Sequence, residues 1–417
     1  MNERDVFLKA IVNRPDDLAP RLAFADWLEE QGDEESRARA EFIRLDHALD
    51  QMSETDPRRD ATYERALELT EQHGPDWYPE LLQFVWQINQ YRSGFPFSVT
   101  VPASNFVKHC VRMFQLAPIQ EIRVLAVRRE IAKLVNCTEL SSIRRLSFEA
   151  TGSVTINASE ARLLAGCRHL SNLEMLNLRH ERARPEGATA LFQSQHLKRL
   201  RHLDLTGNSI GNRGVIPEPR PHSLDQLTIL CLGDNGITTK GVEALVSSPA
   251  LSHLEVLDLH SNVRIGNAGL RAIASSHWRG LRSLDLINTG ITLEGAEALA
   301  SSPVLQNITD LRLSNNELGP GVVDALLRSP NLGPLRRLEL SGCSLDTSAV
   351  RALAESPKLT NLEILRIGFN NLSKPAADAL LQSPYLENLT QLEVTKASFS
   401  QQSIRQLRKR FEDVWAW

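Results

Sequence analysis

The sequence lacks the features that mark several classes of protein. It has no run of 18 apolar residues, so no segment is predicted to cross a membrane. Acidic residues stand at the N-terminus where a secretory signal would carry basic ones, which favours a cytoplasmic location. The five cysteines are odd in number and lack metal-ligand spacing. Neither a disulfide framework nor a metal site is therefore predicted, and a reducing compartment is expected.

An excess of positive charge is also missing. The net charge is −4, and residues 1 to 52 hold thirteen acidic and seven basic residues, a local net of −6. The rest of the chain therefore carries +2 (−4 minus −6), which is far from the basic stripe that binds a phosphate backbone. The chain also has no phosphate-binding glycine loop, no H-E-x-x-H and no G-x-S-x-G. The sequence predicts neither catalytic residues nor a cofactor.

What the sequence does contain is a repeated leucine pattern. The motif L-x-x-L-x-L recurs with a constant step of 27 residues. One such unit is too short to bury its own leucines, so neighbouring units must stack and share a core, where each buried leucine contributes about 1.5 to 3 kcal/mol. The first positions of the motif are Leu173, Leu200, Leu227, Leu254, Leu281, Ile308, Leu335, Leu362 and Leu389.

An asparagine follows most of these predicted strands, three residues after the last leucine of the motif. Its side chain can bond backbone groups that no strand partner reaches, so the position is predicted to be structural. A cysteine there, Cys343, is likewise predicted to be structural rather than reactive. The asparagines are Asn208, Asn235, Asn262, Asn316 and Asn370, and the substitutes are Thr289, Cys343 and Ala397.

The second half of each unit is predicted to be a helix, because Ala-Leu pairs recur there in phase and a Ser-Pro pair follows to stop the helix. With its L-x-x-L-x-L-x-x-N/C-x-L pattern, the segment 173–397 resembles the ribonuclease-inhibitor-like leucine-rich repeats. The resemblance implies an α/β solenoid shaped like a horseshoe, with parallel strands on its concave side and helices on its convex side. The Ser-Pro pairs lie at 248–249, 302–303, 329–330, 356–357 and 383–384.

Weaker copies of the pattern extend the array upstream. They begin at Ile143 and Ile119, and a first strand is predicted at Phe97 to Val101 before a helix near Phe106 to Phe114. The predicted array therefore spans residues 96–397 in about eleven or twelve repeats.

Two segments depart from the repeat. Residues 215–222 contain three prolines where the other units have a helix, so this segment is predicted to be extended or looped. Residues 398–417 form the predicted C-terminal cap, an amphipathic helix from Ser400 to Val414.

Residues 1–52 predict a small all-α domain of three helices. The second helix is expected to begin after Asp17, to carry Pro20 in its first turn and to end at Gly32. Residues 53–95 are interpreted as a helical bridge that caps the repeats.

The segment P-D-D-L-A-P-R-L-A-F-A-D-W-L-E-E-Q-G at 15–32, followed by R-A-E-F-I-R-L at 39–45, resembles the repeat-companion domain of planctomycete bacteria. The resemblance implies a bacterial protein; such domains precede leucine-rich or WD-type repeats, and their own activity is undefined. Arg21, Asp26, Trp27 and Glu41 match the pattern of that domain and are interpreted as an internal set of ion pairs and packing contacts.

Charged side chains follow one column of the predicted strands. Side chains between the leucines point away from the core, and neighbouring strands lie about 4.8 Å apart. From Asp285 onward the charges of the column alternate, which predicts a ladder of exposed ion pairs worth about 0 to 1 kcal/mol each. Asp204, Asp258 and Asp285 are less evenly balanced and are interpreted as an acidic patch for a basic partner. The column is Asn177, Asp204, Cys231, Asp258, Asp285, Arg312, Glu339, Arg366 and Glu393.

Apolar side chains are predicted on the same outward side of the strands. Apolar groups beside charge are typical of a protein-binding surface. We therefore predict that the chain is a non-enzymatic module that binds another protein on its concave face; the oligomeric state is left open. The apolar positions are Met175, Ile229, Val256, Ile287, Ile364 and Phe369, and the residues predicted to contact the partner are Asp204, Ile229, Asp258, His260, Asp285, Ile287, Arg312, Arg366 and Phe369.

Two alternatives remain at this stage. A regulatory or catalytic role could reside in the N-terminal domain or at Cys231, which would need Asp258 and His260 beside its thiol. Nucleic acid could bind through arginine-rich patches, although the basic run 405–410 is expected to be the solvated face of the capping helix. The arginines concerned are Arg144, Arg145, Arg336, Arg337 and those of the run 405–410.

Overall fold

The computed structural model describes residues 3–126, 130–149, 155–215 and 225–416. In these ranges the fold is mixed α/β with nearly all strands parallel, which confirms the predicted class. The chain forms two compact units: unit 1 comprises 1–156 and 166–177, and unit 2 comprises 157–165 and 178–417. No helix in the described ranges is both long and apolar enough to cross a membrane.

The N-terminal half of unit 1 is helical, as predicted. The second helix has Pro20 in its first turn and ends at Gly32, whose φ of +78° is the left-handed conformation that glycine adopts at a helix end. The side chain of Asp33 accepts a hydrogen bond from the backbone of Ser36 and so caps the third helix. The helices of unit 1 are α1 (Glu3–Asn13), α2 (Ala19–Gln31), α3 (Glu34–Gln51), α4 (Arg59–Trp77), α5 (Ala103–Leu116) and α6 (Ile131–Leu134), with single 3₁₀ turns at Leu81–Gln83, Thr138–Ser142 and Arg168–Leu170.

A strand stands where the sequence suggested only helix. Gln87–Arg92 lies inside the segment interpreted as a helical bridge, yet it pairs antiparallel with the next strand through a two-residue turn at Ser93 and Gly94. Both turn residues have positive φ, which is the geometry of a tight hairpin. The predicted strands at 97, 119 and 143 are all present and pair in parallel. The strands of unit 1 are β1 (Gln87–Arg92), β2 (Phe95–Pro102), β3 (Glu121–Leu125), β4 (Arg145–Glu149) and β5 (Met175–Asn177).

The four motif residues of the N-terminal domain have internal partners, as predicted. The buried side chain of Arg21 donates hydrogen bonds to the carbonyls of Pro15 and Arg92. The indole of Trp27 donates to Glu3 and stacks on Phe24 with ring centroids 5.7 Å apart.

The two motif carboxylates make ion pairs. Asp26 pairs with Arg44 at 2.8 Å, and Glu41 pairs with Arg65 at 2.8 Å. Both pairs are exposed, so each contributes about 0 to 1 kcal/mol.

Unit 2 repeats one strand-helix unit. Successive strands pair in parallel with a register offset of 27 residues, for example Leu203 with Leu230 and Leu230 with Leu257. The strand leucines are fully buried in one core. Each Ser-Pro pair follows a helix end, as predicted. The strands are β6 (His202–Asp204), β7 (Ile229–Cys231), β8 (Val256–Asp258), β9 (Ser283–Asp285), β10 (Asp310–Arg312), β11 (Arg337–Glu339), β12 (Ile364–Arg366), β13 (Gln391–Glu393) and β14 (Asp413–Trp415).

The helices of unit 2 pack beside these strands and bury one apolar stripe each. The irregular repeat has a short helix that ends at Val215, and the rest of its proline-rich segment, 216–222, lies outside the described residues. The helices are α7 (Ala158–Ala165), α8 (Arg184–Phe192), α9 (Gly211–Val215), α10 (Thr239–Val246), α11 (Gly266–Ala274), α12 (Leu293–Ala300), α13 (Gly321–Arg328), α14 (Thr347–Ala354), α15 (Lys374–Gln382) and α16 (Gln401–Arg410), with 3₁₀ turns at Pro249–Leu251, Pro303–Asn307 and Pro357–Leu359.

The C-terminal cap is a helix followed by a strand. The side chain of Ser400 caps α16 by accepting a hydrogen bond from the backbone of Ser403. The helix ends at Arg410, earlier than the predicted Val414, and residues 413–415 instead add β14 alongside β13. The aromatic and β-branched residues of this tail suit a strand, which helical periodicity alone did not reveal.

The regular spacing of the asparagines along the chain follows from buried hydrogen bonds that their side chains make between repeats. The carboxamide oxygen of Asn370 accepts from the backbone N–H groups of Cys343 and Leu345 at 3.0 and 2.9 Å, one repeat upstream. Its nitrogen donates to the carbonyls of Leu340 and Ile367, both at 2.9 Å. The predicted structural role is confirmed, and Cys343, which replaces this asparagine, is also buried in its repeat.

We expect Asn370→Ala to lower the free energy of unfolding by about 3 kcal/mol or more, because it leaves several buried backbone groups without partners. The neighbouring Asn371 is exposed, so Asn371→Ala should change that free energy by about 0.5 kcal/mol or less. Urea denaturation of both variants measures the difference, and similar losses in the two would contradict this account.

Candidate functional site

The outward side of the strands in unit 2 carries the predicted site. We define the strand face as a surface to which each repeat contributes four residues. Two of them flank the central leucine of the strand, and the other two directly follow the next leucine. In β8 and its extension these are Val256, Asp258, His260 and Ser261. This surface repeats every 27 residues from β6 to β13, because the strands pair without a register shift.

Three aspartates of the strand face end their strands. Asp204, Asp258 and Asp285 each accept a hydrogen bond from the backbone N–H two residues later, at 2.9, 2.9 and 3.0 Å. Asp204 and Asp285 are only 8% exposed. One oxygen of each carboxylate therefore serves the local turn, and the predicted acidic patch is less accessible than its sequence suggested.

Asp258, His260 and Asp285 come together on neighbouring strands. The Nδ1 atom of His260 lies 2.7 Å from Asp258, and one ligand atom of each of the three side chains lies within 4.8 Å of the others. The imidazole packs against Gly233, where a Cβ atom would lie 2.1 Å from it. A set of this composition could share a proton, accept hydrogen bonds from a cationic group or hold a divalent cation.

Burial and close contact between its members shift the pKa values of His260 and Asp285 in this cluster. The hydrogen bond to Asp258 raises the pKa of His260, and burial opposes that shift. Burial raises the pKa of Asp285 to about 6, with a further contribution from Asp258, while the N–H of Ile287 and the guanidinium of Arg312 oppose it. The cluster therefore gains a proton more readily than isolated carboxylates do.

The predicted ion-pair ladder forms along the following strands, but its carboxylates Asp285 and Glu339 are buried and not exposed as predicted. Arg312 lies 3.5 Å from Asp285 and 3.7 Å from Glu339, and Arg366 lies 3.6 Å from Glu339. These pairs confirm the alternation inferred from the sequence. At the end of the column Glu393 accepts a hydrogen bond from Ser341 at 3.1 Å.

Most of the predicted apolar positions of the strand face are only partly exposed. Ile229 and Val256 are register partners and so form one adjacent pair. Ile287 is half-buried beside the Asp285 turn. The predicted apolar surface is thus a set of separate small areas in unit 2.

Phe369 differs from these residues in exposure and backbone conformation. Its side chain is 59% exposed, and its φ of +54° is in the left-handed region. The equivalent residue of the other repeats also has positive φ, but it is a small or polar residue there, which tolerates this conformation better than a bulky aromatic does. The equivalents are His180, Gly207, Asp234, Ser261, Asn288, Asn315, Gly342 and Lys396. Sequence reasoning placed Phe369 on this face but did not identify its backbone strain.

A second aromatic lies near the C-terminal end of the strand face. Trp415 on β14 is 39% exposed, and the guanidinium of Arg366 lies 5.4 Å from the centroid of its ring. The predicted helix of the C-terminal cap ended at Val414, and Trp415 beyond it was not predicted to be a neighbour of Arg366.

The geometry does not support Cys231 as a nucleophile. Nδ1 of His260 lies 2.7 Å from Asp258, but among the described residues the thiol of Cys231 makes no hydrogen bond to the imidazole, as a cysteine nucleophile would. Burial raises the pKa of the Cys231 thiol, and Asp204 and Asp258 raise it further. A cysteine nucleophile needs the opposite shift, because the thiolate is the reactive form.

The arginines of the nucleic-acid alternative already contact protein acceptors. In unit 1, Arg144 pairs with Asp16 and Arg145 with Glu121. In unit 2, Arg336 pairs with Glu363 at 2.9 Å.

Two further arginines of that alternative behave similarly. Arg337 pairs with Asp310 and Glu339, and Arg410 of the basic run donates hydrogen bonds to the carbonyls of Leu381 and Ser383. The last contact anchors α16 to the repeat before it.

Comparison with known proteins identifies the repeats. A family profile described as Leucine Rich repeat matches residues 195–217, 227–246, 250–274 and 280–300, so the chain contains leucine-rich repeats. No curated protein sequence matches the chain.

Two internalins from Listeria monocytogenes are among the similar solved structures. The first structure (inlF) is 16% identical in sequence to this chain. The match covers 77% of this chain and 86% of the inlF chain, with a TM-score of 0.41. The second structure (internalin C2) is 17% identical in sequence to this chain. The match covers 68% of this chain and 92% of the internalin C2 chain, with a TM-score of 0.32.

The cluster predicts a pH-dependent effect of Asp285→Asn. Because the folded state raises the pKa of Asp285 to about 6, its stabilising contribution is present below about pH 4 and is lost as pH rises through 6. Asparagine stays neutral, so the unfolding free energy of the variant relative to the parent should rise between pH 4 and pH 7, by on the order of 2 kcal/mol. Urea denaturation across this range measures it. The exposed Asp324→Asn is the control, and parallel curves for the parent and Asp285→Asn would refute the prediction.

We expect Cys231 to resist thiol reagents at neutral pH, because burial and the neighbouring carboxylates disfavour its thiolate. Labelling with Ellman's reagent followed by peptide mass spectrometry should leave Cys231 unmodified in the folded chain and modify it in urea, where its environment is lost. Rapid labelling of folded Cys231 would restore the thiol hypothesis.

Proposed function

We propose that the repeats of unit 2 form a non-enzymatic module that binds a protein partner through the strand face. Leucine-rich repeats are a protein-interaction fold, which supports the general role. The observation that carries the specific proposal is Phe369, a largely exposed aromatic residue held at positive φ.

The backbone conformation and the exposure of Phe369 both have a cost in folding free energy. A left-handed backbone costs a non-glycine residue roughly 1 to 2 kcal/mol, and exposure of the ring provides little burial to offset that cost. Six of these eight equivalent positions hold glycine or a short polar residue, the other two hold His180 and Lys396, and none of the eight holds an apolar side chain. Strain of this kind is typical of functional positions, and exposed aromatics are common anchors of protein interfaces.

The partner chemistry follows from the surroundings of Phe369. We propose a partner with an apolar anchor for Phe369 and basic groups for the carboxylates of the cluster. Arg312 on β10 lies between these two areas and Arg366 lies in the same repeat as Phe369. Both already bind Glu339, so they would orient the partner rather than attract it. The proposed contact set is Asp204, Ile229, Asp258, His260, Asp285, Ile287, Arg312, Arg366 and Phe369.

The finer assignments belong to the same proposal. The 27-residue strand-helix unit supports the ribonuclease-inhibitor-like class of repeats. The helices and internal contacts of residues 15–45 are compatible with a planctomycete repeat-companion domain and a bacterial source. Five free cysteines fit a reducing, cytoplasmic compartment.

The test exchanges the aromatic residue while relieving its strain. Asparagine tolerates positive φ, so Phe369→Asn should raise the free energy of unfolding by about 1 kcal/mol and weaken partner capture by about 30-fold or more. Affinity capture from an extract of the source organism, with quantitative mass spectrometry, measures the binding, and urea denaturation measures the stability.

A matched control separates strain relief from loss of the aromatic ring. Lys396 occupies the same repeat position, is exposed and has a φ of +61°. Lys396→Asn should give the same gain in stability with unchanged capture. Proteins that bind the parent and Phe369→Asn equally well would show that Phe369 is not the anchor.

A further inference from the structure

Two carboxylates stand side by side at one point of the strand face. From Asp285 onward, acidic and basic residues of the column alternate from strand to strand. Asp258 on β8 and Asp285 on β9, however, are register partners. Among the described strands from β6 to β13, this is the one place where two carboxylates of the column are neighbours. Like charges opposite each other destabilise a sheet, so a cation bound between them would be stabilising.

The neighbouring side chains supply only part of that positive charge. The guanidinium of Arg312 lies 3.5 Å from Asp285, but it also lies 3.0 Å from Asp310 and 3.7 Å from Glu339. One charge is thus shared by three carboxylates. Within the described part of the chain, the ion partner of Asp258 is His260, which is charged only when it is protonated. An excess of negative charge therefore remains at this point of the strand face.

His260 adds a nitrogen donor to the two carboxylates. It follows β8, and its imidazole packs against Gly233 of the preceding repeat, where a Cβ atom would lie 2.1 Å from the ring. The glycine therefore makes room for the imidazole beside the carboxylates. No other repeat from β6 to β13 carries a histidine at this position, so the three donors come together once in this array.

The donor atoms are close enough to share one ion. One ligand atom of each of Asp258, His260 and Asp285 lies within 4.8 Å of the other two. Ligands of zinc lie about 2.0 to 2.2 Å from the ion and so roughly 3 to 4 Å from one another, which small side-chain shifts would achieve here. The two turns use Oδ1 of each aspartate. The Oδ2 atoms remain available for an ion, and that of Asp285 contacts Arg312 only at 3.5 Å.

The exposure and the composition of this set favour one class of ion. The side chains of Asp258, His260 and Asp285 are 19%, 25% and 12% exposed, so an ion can reach them although most of their surface is removed from water. Partly desolvated carboxylates attract a cation more strongly than fully hydrated ones do. An imidazole nitrogen suits zinc and the other late transition metals, whereas calcium and magnesium prefer oxygen ligands alone.

We propose that Asp258, His260 and Asp285 bind one divalent transition-metal ion, and that Zn²⁺ is the ion that this donor set fits best. Three protein ligands leave at least one coordination position for water. The inference does not rest on the proposed function, because ligation needs no partner. A bound ion and a basic group of a partner would compete for the same carboxylate oxygens. The experiments use the chain alone, so each proposal can fail separately.

The first test titrates the chelator-treated full chain with zinc chloride in isothermal titration calorimetry, and then with the chlorides of magnesium and calcium. Zinc should bind at least 100-fold more tightly than either of the other two ions, because only zinc gains from the imidazole. A zinc dissociation constant weaker than about 100 µM, or binding of calcium as tight as that of zinc, would overturn the proposal.

Substitutions assign the zinc to these residues. His260→Gln and Asp258→Asn each remove one ligand, and each should lower the zinc affinity at least tenfold. His180→Gln is the matched control. The imidazole of His180 also packs against a glycine, Gly207, but it belongs to no three-ligand cluster within the described residues. This control should bind zinc as the parent does. Equal affinities of the parent and His260→Gln would rule out the assigned site.

Urea denaturation checks that the variants fold and gives a second readout. Without zinc, the parent, His260→Gln and His180→Gln should all unfold cooperatively. Zinc stabilises the folded state that binds it, so it should raise the urea midpoint of the parent and of His180→Gln by the same amount and that of His260→Gln by less. The same increase in His260→Gln as in the parent would refute the site.

Cobalt gives a spectroscopic test of the ligands. Co²⁺ bound to one imidazole nitrogen and two carboxylates should show visible d–d absorption without a thiolate charge-transfer band, although Cys231 lies on the adjacent strand. The d–d absorption should be lost in His260→Gln and retained in His180→Gln. Equal d–d absorption in the parent and His260→Gln would place the metal elsewhere and contradict the proposal.

Discussion

Unit 2 depends on the hydrogen bonds of the buried asparagine that most of its repeats carry. A three-residue strand followed by a sharp turn leaves backbone groups that the neighbouring strands cannot reach, and burial of such groups without partners is costly. The carboxamide of Asn235 fills this gap in both directions. It donates to the carbonyls of Leu205 and Leu232 and accepts from the N–H groups of Asn208 and Ile210. Each repeat is thus joined to the previous one by polar contacts that the leucine core encloses and shields from water.

The same turn creates the position where the candidate site departs from the repeat rule. The residue before the asparagine has positive φ because the chain must reverse direction while the carboxamide reaches the backbone. Its side chain is therefore directed by the turn and is free of core packing. Most repeats use this position for residues that tolerate the conformation, whereas Phe369 places an aromatic ring there. The fold supplies a row of equivalent sites, and one of them carries the feature that suggests recognition.

Periodicity predicted the repeats, since a strict 27-residue step with a leucine pattern admits few other folds. It also predicted the ladder from Asp285 to Arg366, because parallel pairing without a register shift places one column of side chains side by side. The hairpin at Gln87–Arg92 and the strand at Asp413–Trp415 were not predicted. Each of these segments lies at one end of a series of paired strands. There, pairing with the neighbouring strand, and not the local sequence, determines that the segment is a strand. Burial of Asp204 and Asp285 was equally hidden, because it depends on turns that fold back over the strands.

Phe369, the feature of the strand face that suggests binding, is locally unfavourable. Phe369 combines backbone strain with an exposed ring, and a partner surface would relieve the exposure while the strain holds the ring in position. The rest of the fold provides the stability that this residue reduces. A site of this type is already arranged before its ligand arrives, so little ordering entropy opposes binding.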